Sequence, residues 1–181
     1  MRVALFATCF NDTMWPQTPR ATVLLLERLG VEVEFPVEQT CCGQMFTNTG
    51  YAQEAIPGVR QFVAVFGGYD AVVAPSGSCV GSVRHQHAGI ADRAADPGLR
   101  AAVEAITPKV FELSEFLVDV LQVTDVGAYS RTGSPITRRA TRCGCCTSAI
   151  SRCGYCAGYA GSTLSSCPRP TNAADSVAPS R

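Results

Sequence analysis

The hydrophobic pattern of residues 1–129 changes period again and again, and no other feature of the chain restricts its fold so tightly. Short apolar runs of strand length alternate with longer stretches in which apolar residues recur every third or fourth position. Val3 to Ala7 reads as a buried strand. A helix carrying Val23, Leu24, Leu25, Leu26 and Leu29 follows, with Thr18 or Thr22 as its cap and Gly30 as its stop. Val31, Val33 and Phe35 alternate with Glu32 and Glu34, the period of a strand with one wet face, and Pro36 ends it. A helix is predicted from about Thr49 to Phe66, closed by Gly67-Gly68, then a strand over Ala71 to Ala74 before Pro75. Arg84 to Ala95 is predicted to be helical. Lys109-Val110-Phe111 is strand-like and leads into an amphipathic helix with Phe116, Leu117, Val120 and Leu121. Strands joined through helices require crossover connections. The predicted fold class over 1–129 is therefore α/β, a Rossmann-like, mostly parallel, doubly wound sheet.

The composition breaks near residue 129. Of the 181 residues 46% are apolar and 17% charged, a globular balance. Residues 1–129 hold all eight Phe, both His, the one Trp and fourteen acids against eight cations, a charge of −6. Residues 130–181 hold seven Arg, one acid (Asp175) and six of the ten Cys, a charge of +6. No apolar run approaches the roughly 18–20 residues of a membrane span, and Met1 to Cys9 is too short and too weakly charged for a secretory signal. A cytoplasmic location is expected. Thiols stay reduced there, so ten cysteines point to metal or redox chemistry before a disulfide framework. No Lys/Arg run with interleaved aromatics is present, and nucleic-acid binding is not expected.

Four cysteines fall beyond the carboxyl ends of the predicted strands. Cys9 follows the first strand, Cys41-Cys42 the second, and Cys79 the third, after Pro75-Ser76-Gly77-Ser78. Open α/β sheets build their ligand sites at that rim, so thiols distant in sequence can meet in one crevice. Thiolates are soft ligands that suit Zn, Cu(I) and iron–sulfur clusters. Adjacent side chains diverge and fit one tetrahedral ion poorly, whereas a cluster offers several irons, which favours a cluster. Gly43 fits as well, since a residue without Cβ lets backbone approach inorganic sulfide and donate N–H groups to it. Each lone Cys could also be a small buried hydrophobe. His85 and His87 are expected to be solvated or capping residues, and Met14 and Trp15 to cover the crevice or pack. Glu32, Glu34 and Glu38 are expected to form a wet face. Gly67-Gly68 lacks a surrounding GxGxxG, so no dinucleotide site is expected.

The pattern C-x31-C-C-G-x35-C, with the segments VALFATCFNDTMWP, EQTCCGQMFTNTGY and DAVVAPSGSCVGSV around it, resembles the cysteine-rich CCG-domain iron–sulfur oxidoreductases. The branch it resembles most is the YkgE-like, lactate-utilization family, over the amino-terminal half only. The iron–sulfur component of glycolate oxidase and a component of heterodisulfide reductase share the domain. The resemblance implies an iron–sulfur electron-transfer subunit of a complex that oxidises L-lactate, or a related 2-hydroxy acid, to pyruvate. It implies a cluster, expected to be 4Fe–4S, with Cys9, Cys41, Cys42 and Cys79 as ligands, and other subunits of the complex as partners. Contact with a membrane surface is compatible with it. The family pattern ends in Cys-x-x-Cys, and here Ser76 stands in the first place, so only Cys79 carries over.

That family has two cysteine-rich halves, and this chain has one followed by a different tail. Residues 130–181 contain Cys143-Gly144-Cys145-Cys146, Cys153-Gly154-Tyr155-Cys156 and Cys167, and Cys-x-x-Cys units do make zinc sites. A zinc-binding structural or regulatory module is the rival reading. The tail, however, lacks Phe, Trp, Met and Lys and has only four large aliphatics (Ile136, Ile150, Leu164 and Val177), too few for a core. Its excess of Arg, Ala, Pro, Gly and Cys is what a GC-rich gene yields out of frame. Each wobble base taken with the first two bases of the next codon permits P-H-R-V-T-Y-H-P-T-C-H-S-L over residues 130–142. The same frame permits Q-C-C-G-F-G-G over 171–178. Both look like motifs of the missing half. The tail is therefore expected to be frameshifted and disordered, with one base lost near the codons for Tyr129 and Ser130, leaving the protein truncated and impaired.

Overall fold

Val3, Ala4 and Leu5 form the first strand, β1, with every side chain buried. The structure is a computed structural model and describes residues 1–127. The other strands are β2 (Val33–Glu34), β3 (Ala71–Ala74) and β4 (Val110–Glu112). All pair in parallel in the order β2-β1-β3-β4, with Val3 opposite Val33 and Ala71, and Val72 opposite Val110. Central parallel strands are covered on both faces, which is why their sequences are continuous apolar runs. Ala4, Phe6, Val72, Ala74 and Val110 pack on one face against Phe62, Phe66, Val83 and Ile106. Val3, Ala71 and Val73 pack on the other face against Leu26, Phe116 and Leu117. The expected α/β, parallel, doubly wound sheet is what the chain forms.

The crossovers are α1 (Cys9–Met14) and α2 (Gln17–Arg28) after β1, and α3 (Gln44–Asn48) and α4 (Ile56–Phe66) after β2. After β3 come α5 (Gly77–Arg93) and α6 (Pro97–Ile106), and after β4 a short helix, α7 (Leu113–Glu115), that continues as a π-helical turn over Phe116–Val120. The strand order reverses between β1 and β3: the chain leaves β1 toward β2 on one side and returns to β3 on the other. Ligand crevices of open sheets open at this point, at the carboxyl ends of the strands.

Several local expectations are corrected. Neither Thr18 nor Thr22 is a cap; both lie inside α2, where the Thr22 hydroxyl donates to the Thr18 carbonyl, 3.0 Å away. The helix expected from about Thr49 begins only at Ile56, because Gly50 takes a φ of 88° and turns the chain after α3. The helix expected from Arg84 begins at Gly77, so Cys79 sits in a first helical turn rather than in a loop. Phe35 is exposed instead of facing inward, since β2 is the edge strand and is only two residues long. Helix α6, which starts on an Asp96 side chain accepting from the Gly98 and Leu99 N–H groups, was not foreseen. The tail over 130–181, with all six of its cysteines, lies outside the described residues.

Candidate metal centre

Each thiol reaches the rim by a different local device. Phe6 extends the β1 ladder by donating its N–H to the Val73 carbonyl at 2.9 Å. Thr8 then turns the chain with a φ of 65°, a conformation that is costly for a β-branched residue, and Cys9 opens α1. The Thr8 hydroxyl is buried without a hydrogen-bond partner. Gln39 staples this exit to the loop after β2: its Oε1 accepts from the Ala7 N–H at 2.9 Å, and its Nε2 donates to the carbonyls of Leu5 and Pro36. Cys41 and Cys42 follow in that loop. Gly43 closes it at φ 82° and starts α3. An added Cβ there would meet the Ala55 Cβ at an ordinary 3.5 Å, so the left-handed backbone, not lack of room, is what requires glycine. Asn11 ties α1 to the β3–α5 junction by donating to the Pro75 carbonyl at 3.1 Å.

These devices bring all four predicted cysteines together. The Cys9 thiol donates to the Cys41 sulfur at 3.4 Å, and Cys42 and Cys79 line the same cavity, where Cys42 shifts the protonation of both Cys41 and Cys79. Cys9 is exposed, Cys41 half-buried, Cys42 and Cys79 buried. Protonation alternates along the chain. The Cys42 side chain draws Cys41 down to about 5, against the effect of burial, with the Gly43 N–H helping. Cys79 is drawn down to about 6, again chiefly by Cys42, with burial opposing and the Ser76 and Ser78 hydroxyls assisting. Cys42 is pushed far up, first by its interaction with Cys41 and Cys79 and then by burial. Desolvation, then the bond to Cys41, lifts Cys9 to about 11. Two thiolates, Cys41 and Cys79, thus alternate with two thiols, Cys9 and Cys42, at neutral pH, and the thiolate is the form that binds metal.

The surroundings suit negative sulfur. The Phe10 N–H points at Cys9, those of Cys42 and Gly43 at Cys41, and that of Gln44 at Cys42. A cavity of about 220 Å³ contains all four thiols with Asn11, Gln44, Met45, Ser76 and Ser78 in its walls. A second cavity, of about 480 Å³, lies on the other side of Cys9 and Cys41 against Asp12, Phe35, Val37 and Thr40. Among the described residues, no three His, Cys, Asp or Glu side chains are grouped as ligands for a single metal ion. The donor set is four soft sulfurs with backbone and hydroxyl donors around them, which fits an iron–sulfur cluster. Phe10 and Met45 in the wall of the first cavity and Phe35 and Val37 in that of the second are exposed, and the exposed Trp15 packs on Phe10, an apolar collar of the kind that marks an interaction surface.

Other predicted residues fall variously. Trp15 packs on Phe10, ring centroids 5.1 Å apart, and with Met14 remains exposed. Glu32 and Glu38 are on the wet face as expected, whereas Glu34 is occupied by Arg2 at 3.0 Å and by the Tyr69 hydroxyl at 2.9 Å. His85 is exposed. His87 is a correction: it is fully buried, edge-on to Phe62, with Nε2 2.8 Å from the Cys42 carbonyl oxygen. Burial pushes it below its usual range, so it stays neutral. With α5 expected only from Arg84, no helical stripe linked His87 to Cys79. Gln39 also escaped notice, since nothing marks a lone Gln as a staple. No helix among the described residues is long and apolar enough to cross a membrane.

Residues 3–84 match the profile of the CCG cysteine-rich domain family. The chain is 47% identical over 128 residues to lactate utilization protein A of Bacillus pumilus, covering 71% of this chain and 52% of that one. It is 50% identical over 128 residues to lactate utilization protein A of an Exiguobacterium species, covering 70% and 51%, and 45% identical over 131 residues to that of Geobacillus kaustophilus, covering 71% and 52%. The chain spans about half the length of these relatives. No solved structure matches it. Residues 3–84, which carry all four converging thiols, match the CCG cysteine-rich domain family, and the chain is similar to lactate utilization protein A.

Proposed function

We propose that Cys9, Cys41, Cys42 and Cys79 hold an iron–sulfur cluster, of the 4Fe–4S type, and that the chain is an electron-transfer part of a cytoplasmic complex oxidising L-lactate or a related 2-hydroxy acid. The observation that carries this reading is the convergence of four thiols from three loops at the point where strand order reverses. A row of sulfurs along a cleft offers ligands to several irons, while one zinc ion needs four donors around a single point. The likeness to lactate utilization proteins supplies the substrate class.

A bound cluster supplies one-electron chemistry. Conversion of lactate to pyruvate releases two electrons and two protons, and the electrons would pass through this chain one at a time. The protein's own groups hold and tune. Cys41 and Cys79 offer thiolates, the Gly43 and Gln44 N–H groups and the Ser76 and Ser78 hydroxyls stabilise negative sulfur, and Thr8, Gln39 and Asn11 hold the loops in register. The apolar collar is the surface on which other subunits of the complex would seat. The cysteine-rich segments that the shifted frame would encode are not supplied by residues 130–181, and the chain is expected to retain its cluster incompletely.

Anaerobic reconstitution of the full chain with iron and sulfide tests the proposal. The expected product is coloured, contains iron and acid-labile sulfide in proportion but below full occupancy, and loses both in Cys79→Ala. A colourless protein that takes up only zinc overturns the cluster, because Zn²⁺ is d¹⁰. Full occupancy overturns the impairment.

A further inference from the structure

Helix α5 turns a stripe of side chains toward the Cys-Cys-Gly loop: Cys79, Ser82, Gln86 and His87, three, four and one residues apart on the inward face. The Ser82 hydroxyl donates to Gln86 Oε1 at 2.8 Å and the Thr47 hydroxyl does so at 2.6 Å, which ties α3 to α5. One residue on, His87 reaches the loop itself at the Cys42 carbonyl. A carbonyl oxygen can only accept, so Nε2 carries the ring proton and Nδ1 is a bare acceptor. That Nδ1 is buried without a partner, a cost that an apolar side chain of similar size would avoid. Packing against Phe62 does not explain the choice of histidine; the bond to Cys42 does.

The bond has a consequence on the far side of the peptide. The Cys42–Gly43 unit is planar and trans, so its C=O and N–H point in opposite directions. With the oxygen held toward α5, the Gly43 N–H is left on the opposite side of the peptide, from which it favours the Cys41 thiolate. We propose that His87 is a positioning residue that acts through this peptide, gripping the Cys42 carbonyl so that the Gly43 N–H is aimed at the Cys41 sulfur. The same helix that supplies Cys79 thereby sets the orientation of the loop supplying two other thiols. The effect on a cluster rests on the ligand reading above; the effect on the peptide does not.

Amide hydrogen exchange of the metal-free full chain, followed by NMR, separates the two. In His87→Leu, exchange at Gly43 should rise about tenfold, the factor that loss of one hydrogen bond of ordinary strength produces. Protection across β1 and the rest of α5 should hold. In His87→Gln, which keeps an N–H donor at similar reach, Gly43 should stay within about twofold of the parent. In reconstituted protein the Leu variant should also show a more negative reduction potential, since a donor to ligating sulfur favours the reduced state. Unchanged Gly43 exchange in folded His87→Leu, or equal loss in both variants, overturns the proposal. Should His87→Leu not fold, His87→Gln decides: retained protection supports the role, and lost protection in a folded protein overturns it. Gly43 exchange that responds in a chain binding no iron sustains His87 and sinks the cluster.

Discussion

Replacing Gly43 by alanine asks whether this glycine serves backbone geometry, space for an inorganic group, or both. The backbone stands at φ 82°, and the new Cβ would meet only the Ala55 Cβ at 3.5 Å, so no clash is added. A left-handed conformation costs an L-residue about 1–2 kcal/mol. Alanine returns roughly 0.4–1 kcal/mol by narrowing the unfolded ensemble. The net loss in metal-free protein is therefore about 1 kcal/mol, which urea unfolding should register as a lower midpoint with an unchanged slope. Iron and sulfide retention should fall by far more than this small loss implies. The Cβ would stand where the chain turns from Cys42 into α3, beside the N–H that serves Cys41. A stability loss above about 3 kcal/mol would reveal strain beyond a single left-handed residue. Parent-like stability would show that the loop can relax out of φ 82°, and parent-like iron content would remove Gly43 from the cradle.

Thr8→Gly should stabilise metal-free protein by about 1 kcal/mol, because it relieves the φ of 65° and deletes an unpartnered buried hydroxyl at the cost of added chain entropy; a lower unfolding midpoint would contradict this. Alkylation of metal-free protein at pH 7 should label Cys41 before Cys9 although Cys9 is more exposed, since thiolate content decides reactivity. With folded values of about 5 for Cys41 and about 6 for Cys79, both below the ordinary thiol value of 9.0, their contribution to folding is complete above pH 9. It shrinks as pH falls and is gone below about 5, so acid titration of stability should decline through this window and in a Cys41→Ala, Cys79→Ala double variant should flatten there. The nucleotide sequence around codons 129 and 130 should show one base missing relative to a frame that encodes Thr-Cys-His and a second Cys-Cys-Gly; an uninterrupted gene with codons incompatible with those strings refutes the frameshift.

The strands and their order of appearance were legible because a parallel strand buried on both faces must be an unbroken apolar run, and Val3 to Ala7 and Ala71 to Ala74 are such runs. The rim position of Cys9, Cys41, Cys42 and Cys79 followed from the same pattern. Helix starts were less legible. Helix α5 begins at Gly77 in a Gly-Ser-Cys segment of poor helix propensity, held by packing of Cys79, Val80 and Val83 on the sheet. Helix α6 was missed although Asp96-Pro97 is a strong start signal.

From the chain alone came the parallel α/β plan and four thiols at successive strand ends, because side-chain period and residue chemistry are local properties. Tertiary structure alone decided how those thiols divide their protons, that His87 is a buried partner of Cys42, and that Gln39 staples two loops. Such facts depend on distances between residues more than thirty positions apart, which packing sets and no local pattern encodes.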